Sequence, residues 1–120
     1  MKMDNSNCVF CRIIKGEIPS KKVLDSGNFI VIKDINPFTE GHSLVIPKKH
    51  YRTLLDIPSS LFGEYLEVTK KATLELIKET SSAGFNLLMS NFEVAQQEVP
   101  HAHLHIIPRK KADGKFKFIK

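Results

Sequence analysis

The chain has only two cysteines, placed three residues apart as Cys8-Val9-Phe10-Cys11. A single CxxC is not the disulfide framework of a small extracellular domain. Long apolar runs are also missing: none approaches the roughly 20 residues that cross a bilayer. The opening Met1-Lys2-Met3-Asp4-Asn5 leads into no signal-like apolar segment. The expectation is therefore a cytoplasmic protein that does not engage a membrane. No repeat or low-complexity stretch interrupts the sequence, and no second module accompanies it. That lack of a second module counts against nucleic-acid end processing.

What is present suits one folded unit. With 120 residues and 42% apolar content, residues 1–120 should form a single domain with a real core, near the size where oligomerisation helps. The formal charge of +5 is unevenly spread, because residues 109–120 hold six of the eighteen basic side chains and one of the thirteen acidic ones. The rest of the chain is neutral. Residues 109–120 thus read as a basic C-terminal tail, either a solvated terminus or an anion-attracting segment. Phe116 and Phe118, interleaved with Lys115 and Lys117, leave room for a docked edge strand at a subunit interface.

The densest signal is Pro100-His101-Ala102-His103-Leu104-His105-Ile106-Ile107-Pro108. Period-2 alternation with β-branched residues predicts a short strand with His101, His103 and His105 on one face. Ala102, Leu104 and Ile106 then turn to the core. Three of the chain's five histidines in one register point to nucleophilic, acid–base or metal chemistry rather than to isolated core hydrogen bonding.

The remaining elements follow from punctuation and period. Residues 8–16 read as a short helix or turn closed by Gly16. Residues 22–25 and 29–34 form a hairpin around Ser26-Gly27-Asn28. Residues 42–47 are a strand after the loop Asn36-Pro37-Phe38-Thr39-Glu40-Gly41. A long helix runs from near Pro58-Ser59-Ser60 to about Thr80, with the stripe Leu61, Tyr65, Val68, Ala72 and Leu76 widened by Phe62, Leu66 and Ile77. It has no capping box, since Gly63 stands where a glutamate would follow Ser60. Residues 85–90 are a further strand, and 91–98 connect it to the histidine strand. The fold class is α+β: an antiparallel sheet of about five strands, one long amphipathic helix and a short N-terminal helix. Cys8 and Cys11 have metal-ligand spacing but fill only two of four tetrahedral positions, so free buried cysteines and a redox pair remain as alternatives.

Several segments in order carry a family resemblance: Cys8-Val-Phe-Cys11 with Ile13-Ile14-Lys15-Gly16-Glu17-Ile18-Pro19; Asp34-Ile35-Asn36-Pro37; Gly41-His42-Ser-Leu-Val-Ile-Pro-Lys-Lys-His50; and Gln97-Glu-Val-Pro-His101-Ala-His103-Leu-His105. Together they resemble the histidine-triad (HIT) family, in its small phosphoramidase-like, nucleotide-binding branch. The resemblance implies a homodimer with a shared sheet and purine nucleotide substrates. The implied reaction is hydrolysis of purine nucleoside 5′-phosphoramidates through a covalent nucleotidyl-histidine. Dinucleoside polyphosphate hydrolysis is the close alternative, and a nucleotide-binding regulatory or scaffold protein with incidental turnover is the other.

The resemblance also assigns roles. His103 becomes the nucleophile, His105 orients it or the phosphate, and His42 hydrogen-bonds the nucleophile. Asp34 takes the ribose hydroxyls, and Ile35, Phe10 and Ile14 wall the base. Asn91 and Gln97 resemble residues that hold the phosphate. Zinc-containing members match Cys8, Cys11, His50 and His101, which implies a structural Zn²⁺, while no catalytic metal is required. If His101 is not a ligand, it is the nearest acid for a leaving amine. Two departures stand out. Gln96 replaces a glycine at the phosphate turn, and Glu98 replaces a phosphate-contacting serine found in some relatives. Glu98 either points away, offering its backbone N–H, or shifts substrate preference. Nucleic acid is not expected as a partner.

Overall fold

The computed structural model describes residues 7–115. Its elements are helix α1 (Val9–Ile14), strands β1 (Lys22–Asp25), β2 (Phe29–Lys33) and β3 (Ser43–Pro47), helix α2 (Phe62–Thr80), and strands β4 (Gly84–Leu88) and β5 (Leu104–Arg109). All pairings are antiparallel, in the order β1-β2-β3-β5-β4. The α+β reading with five strands, one long helix and one short helix is what the chain adopts. No helix among the described residues is long and apolar enough to cross a membrane.

The run Phe29-Ile30-Val31-Ile32 is apolar without alternation because both faces of the central strands are covered. Phe29 and Val31 of β2, Val45 of β3 and Ile106 of β5 pack with Tyr65, Val68, Ala72 and Leu76 of α2. Ile30, Ile32, Leu44 and Ile46 face the other way, against Phe10 of α1. Each fully buried Val, Leu, Ile or Phe among them contributes about 1.5–3 kcal/mol. Phe29 and Tyr65 stack with ring centroids 4.5 Å apart. The Glu64 carboxylate ties the start of α2 to the hairpin turn, accepting from Ser26 Oγ at 2.8 Å and from the Asn28 N–H at 2.9 Å.

The long helix needs a correction on its width. Phe62 and Leu66, expected to broaden the buried stripe, are exposed, and Ile77 is only half-buried. Thr69, Thr73 and Thr80 fill the buried face instead. Each threonine hydroxyl donates to the carbonyl four residues back, at 2.7–2.8 Å, which lets a polar side chain sit in the core. The helix begins through a 3-10 turn, Ser59–Leu61, without a side-chain cap, and ends at Ser81 in the left-handed region.

The histidine strand is shorter than its alternation predicts. β5 starts at Leu104, so His101 and His103 precede it in an irregular bend. β3 and β5 pair from Ser43 to Val45 only. The next positions would bring in Pro47, which has no N–H to offer. The Pro47 carbonyl takes the His101 ring instead, and the Ala102 N–H bonds to the Tyr51 carbonyl. The inward set survives the break: Ala102 and Ile106 are fully buried, and Leu104 is partly so. Arg109, the first residue of the basic tail, is the last of β5, and its guanidinium holds Asp113 at 2.7 Å. The proposed edge strand at Phe116 and Phe118 lies outside the described residues.

Candidate active site and metal-ligand cluster

His42 is delivered by the turn before β3. Gly41 adopts φ +85°, and a Cβ there would lie 2.7 Å from Thr80 Cγ2. Only glycine meets both conditions. The next residue, His42, is buried, with Nδ1 accepting the Phe38 backbone N–H at 2.9 Å and Nε2 lying 2.9 Å from His105 Nδ1. A peptide N–H can only donate, so His42 Nδ1 carries the lone pair and Nε2 carries the proton. That proton is donated to His105 Nδ1. His105 is then left with Nε2–H as its remaining donor in the cavity it lines.

The same argument fixes His103. Its Nδ1 lies 2.8 Å from the His101 carbonyl, which can only accept. Nδ1 therefore holds the proton, and Nε2 is a bare lone pair. Burial lowers all these imidazoles, His105 to about 4 and His42 and His103 to below the ordinary histidine value, with Asp34 opposing the shift in each case. At neutral pH the three rings are uncharged. The sequence reading had His42 bonded to the nucleophile. The geometry places His42 against His105, and His103 is oriented by its own backbone.

Asp34, His42 and His105 bring ligand atoms within 4.8 Å of one another. The Phe38 N–H makes His42 Nε2 a donor, however, and a donor nitrogen has no lone pair for a cation. Asp34 lies 3.6 Å from that nitrogen through Oδ2, while Oδ1 accepts the Asn36 N–H.

These groups border a cavity of about 380 Å³ lined by Phe10, Ile13, Asp34, Ile35, Ser90, Gln96, Glu98, His103 and His105, among others. Ile35 is 88% exposed beside Asp34, an apolar surface at the rim. Phe10 meets the His103 ring edge-on at 5.0 Å. Ile14, Asn91 and Gln97 lie outside this lining, and Val9, Ile13 and Ser90 stand where the sequence reading named nothing. Asn91 Oδ1 accepts from the Leu54 N–H at 2.8 Å. Gln97 Oε1 accepts from the Phe92 N–H at 2.7 Å, and its Nε2 donates to the Arg52 carbonyl at 2.6 Å. Both side chains thus fasten the connector 91–98. That connector has two non-glycine residues at positive φ, Phe92 at 73° and Gln96 at 69°. Such conformations cost about 1–3 kcal/mol each, and the Gln97 clamp opposes their relaxation.

The second cluster gathers around His101, two residues before His103. Cys8 caps α1, and the helix brings Cys11 beside it. His101 Nδ1 lies 3.4 Å from Cys8 Sγ and 3.5 Å from Cys11 Sγ, and His50 Nδ1 lies 3.2 Å from Cys11 Sγ. His101 Nε2 donates to the Pro47 carbonyl at 2.8 Å, so its Nδ1 lone pair faces the sulfurs. His50 hydrogen-bonds the Pro100 backbone. Two sulfurs and two imidazole lone pairs, each ring held by a backbone carbonyl, make a donor set suited to tetrahedral Zn²⁺. Burial and Cys8 push the Cys11 thiol up to about 11, a proton that a cation would displace. With both nitrogens committed and no exposure, His101 is not placed to act as a general acid in the cavity.

A HIT-domain family model matches residues 15–112. An uncharacterized HIT-like protein from Methanocaldococcus jannaschii is 44% identical over 107 residues, covering 89% of this chain and 82% of that protein. Adenosine 5′-monophosphoramidase HNT1 from Candida albicans is 40% identical, covering 88% of this chain and 72% of that one. The crystal structure of a Zn-bound histidine triad family protein from Mycobacterium smegmatis superposes with a TM-score of 0.85 at 36% identity, covering 96% of this chain and 83% of that one.

Proposed function

The chain belongs to the HIT-domain family, and on that premise we propose that it is a phosphoramidase-like hydrolase acting on purine nucleoside 5′-phosphoramidates. The observation that carries this reading is the bond from His103 Nδ1 to the His101 carbonyl. It holds a neutral imidazole with its Nε2 lone pair in the cavity, which is what a nucleophile at neutral pH requires.

His103 Nε2 attacks the α-phosphorus, a P–N bond to the histidine forms, and the P–N bond to the leaving amine breaks. The three neutral rings hold no surplus proton, so the departing nitrogen takes its proton from solvent. Water then attacks the nucleotidyl-histidine and gives up a proton to solvent, the P–N bond to His103 breaks, and the lone pair returns to Nε2. His105 Nε2–H donates to a phosphate oxygen as charge spreads over it. His42 keeps His105 in that tautomer. Asp34 takes the ribose and the exposed Ile35 underlies the base, with Phe10 behind the phosphorus. Gln97 and Asn91 serve by holding the connector rather than by touching phosphate, and Ile14 supports Phe10 from the cluster behind it.

Cys8, Cys11, His50 and His101 would hold a structural Zn²⁺, which supplies a cross-link between α1, the end of β3 and the bend before β5. The assembly we infer is a homodimer through β4, an edge strand bearing the exposed Phe85, Leu87 and Leu88. Light scattering on the purified protein checks this, and a monomer at micromolar concentration counts against it.

The deciding experiment is rapid quenching with a labelled adenosine phosphoramidate, followed by peptide mapping. The label should sit on His103. His103→Ala should lose the label and about 10³-fold or more of turnover while retaining nucleotide binding. Net retention at phosphorus is the expected stereochemistry. Inversion without an adduct would mean direct attack by water.

A further inference from the structure

Two cavities meet at the connector 91–98. The cavity that holds His103 is partly walled by Gln96 and Glu98. The same two residues also line a second space of about 610 Å³, together with Arg52, Glu93, Gln97 and Pro100. Glu98 is exposed and shares the lining of the inner cavity with His103. The charges of the outer space are Glu93 and Glu98 against Arg52, whose guanidinium lies over the Phe92 ring at 5.6 Å. In the inner cavity, Lys33 is paired with Glu79 at 2.6 Å, and Asp34 and Glu98 are the acidic side chains among the described lining residues.

We propose that the outer space is the leaving-group subsite and that Glu98, assisted by Glu93, selects amine leaving groups carrying positive charge against anionic ones. This rests on the phosphoramidate reading above and sharpens it. All substrates present the same nucleotide to Asp34, so the charge at that end cancels when substrates are compared. What differs is the group that departs past Glu98. A polyphosphate leaving group gathers negative charge as its bond breaks and is opposed by the two carboxylates. An amine whose remaining chain carries an ammonium is attracted by them, and a neutral amine is indifferent.

The test uses the full-length protein and three adenosine 5′-phosphoryl substrates: a phosphoramidate of an alkyl diamine, one of an uncharged alkylamine of equal length, and a diadenosine polyphosphate. Wild-type kcat/KM should fall in that order. Glu98→Gln should reduce the cationic-to-anionic ratio about tenfold, the size expected for one charge removed a few ångströms from the leaving group in a partly solvated cavity. Glu98→Lys should reduce it further, and Glu93→Gln should do so by less. The wild-type ratio should shrink in molar salt, where the Debye length is about 3 Å, toward the value set by Glu98→Gln. The ratio is read independently of the absolute rate, so a general loss of activity leaves it measurable. A ratio unmoved by Glu98→Gln and Glu98→Lys, with the uncharged phosphoramidate still hydrolysed, overturns this inference and leaves the phosphoramidate reading standing. Failure of the wild type to hydrolyse any phosphoramidate removes both.

Discussion

His42 Nε2 lies 2.9 Å from His105 Nδ1, and the Phe38 N–H behind His42 sets which nitrogen donates. One backbone amide thus determines the protonation of two side chains 63 positions apart in sequence. His42→Ala should release His105 to the other tautomer and cost about 10²-fold in kcat. His103 would still become labelled, only more slowly, because its own tautomer is held by the His101 carbonyl. Single-turnover labelling separates the two effects. A variant with an unchanged rate would show that His105 needs no orientation.

Gly41 makes a prediction about stability that reaches the site. Alanine at this position meets a left-handed φ of 85° together with Thr80 Cγ2 at 2.7 Å and Pro108 Cγ at 3.3 Å. Gly41→Ala should lower unfolding free energy by about 2–3 kcal/mol. The same turn carries His42, so kcat should fall as well. Urea titration with the midpoint compared at constant slope gives the first number.

Protons should destabilise the fold over a definite window. The His105 value falls from 6.5 to about 4 on folding, with burial the largest cause and His103 and His42 next. Between those values the unfolded chain binds the proton and the folded one does not, so stability drops as pH falls through 6.5 and keeps dropping toward 4. At pH 5.5 this ring alone should remove about 1–1.5 kcal/mol relative to neutral pH. Denaturation at pH 7.5 and 5.5 measures the total, and His105→Asn should lessen the dependence by about that amount, the other buried histidines keeping their share.

The sulfur–imidazole cluster predicts about one zinc per protomer by metal analysis. Chelation should lower Tm more than it lowers the initial rate at low temperature, because the four candidate ligands join α1 to the bend before β5 and none of them lines the cavity of His103. Cys8→Ser with Cys11→Ser should reproduce the chelated protein. Zinc-free preparations with unchanged melting would return the pair to the status of buried thiols.

Local pattern determined much of this protein. The 3.6-residue period of α2, the hairpin around Gly27, the apolar run of β2 and the alternation of Ala102, Leu104 and Ile106 each follow from neighbours within a few positions. They could be read because helix and strand periods are properties of local backbone geometry. The run of three histidines is legible in the same alternation, whereas their roles and the set of four metal-ligand candidates come through family resemblance; the fold brings the ligand atoms of Cys8, Cys11, His50 and His101 within 4.8 Å of one another. What local pattern could not decide is which partner each polar atom takes. Pro47 ends the pairing with β5 and captures His101, so the histidine run is bent rather than extended. Gln97 turns to Arg52 and Phe92, and threonines rather than Phe62 and Leu66 fill the buried face of α2. Hydrogen bonds across tens of residues depend on which backbone groups the sheet and loops leave unpaired, and that becomes definite only when the whole chain has packed. The proton on each of the His42, His103 and His105 rings is therefore a property of the tertiary structure, although the rings themselves are visible in the sequence.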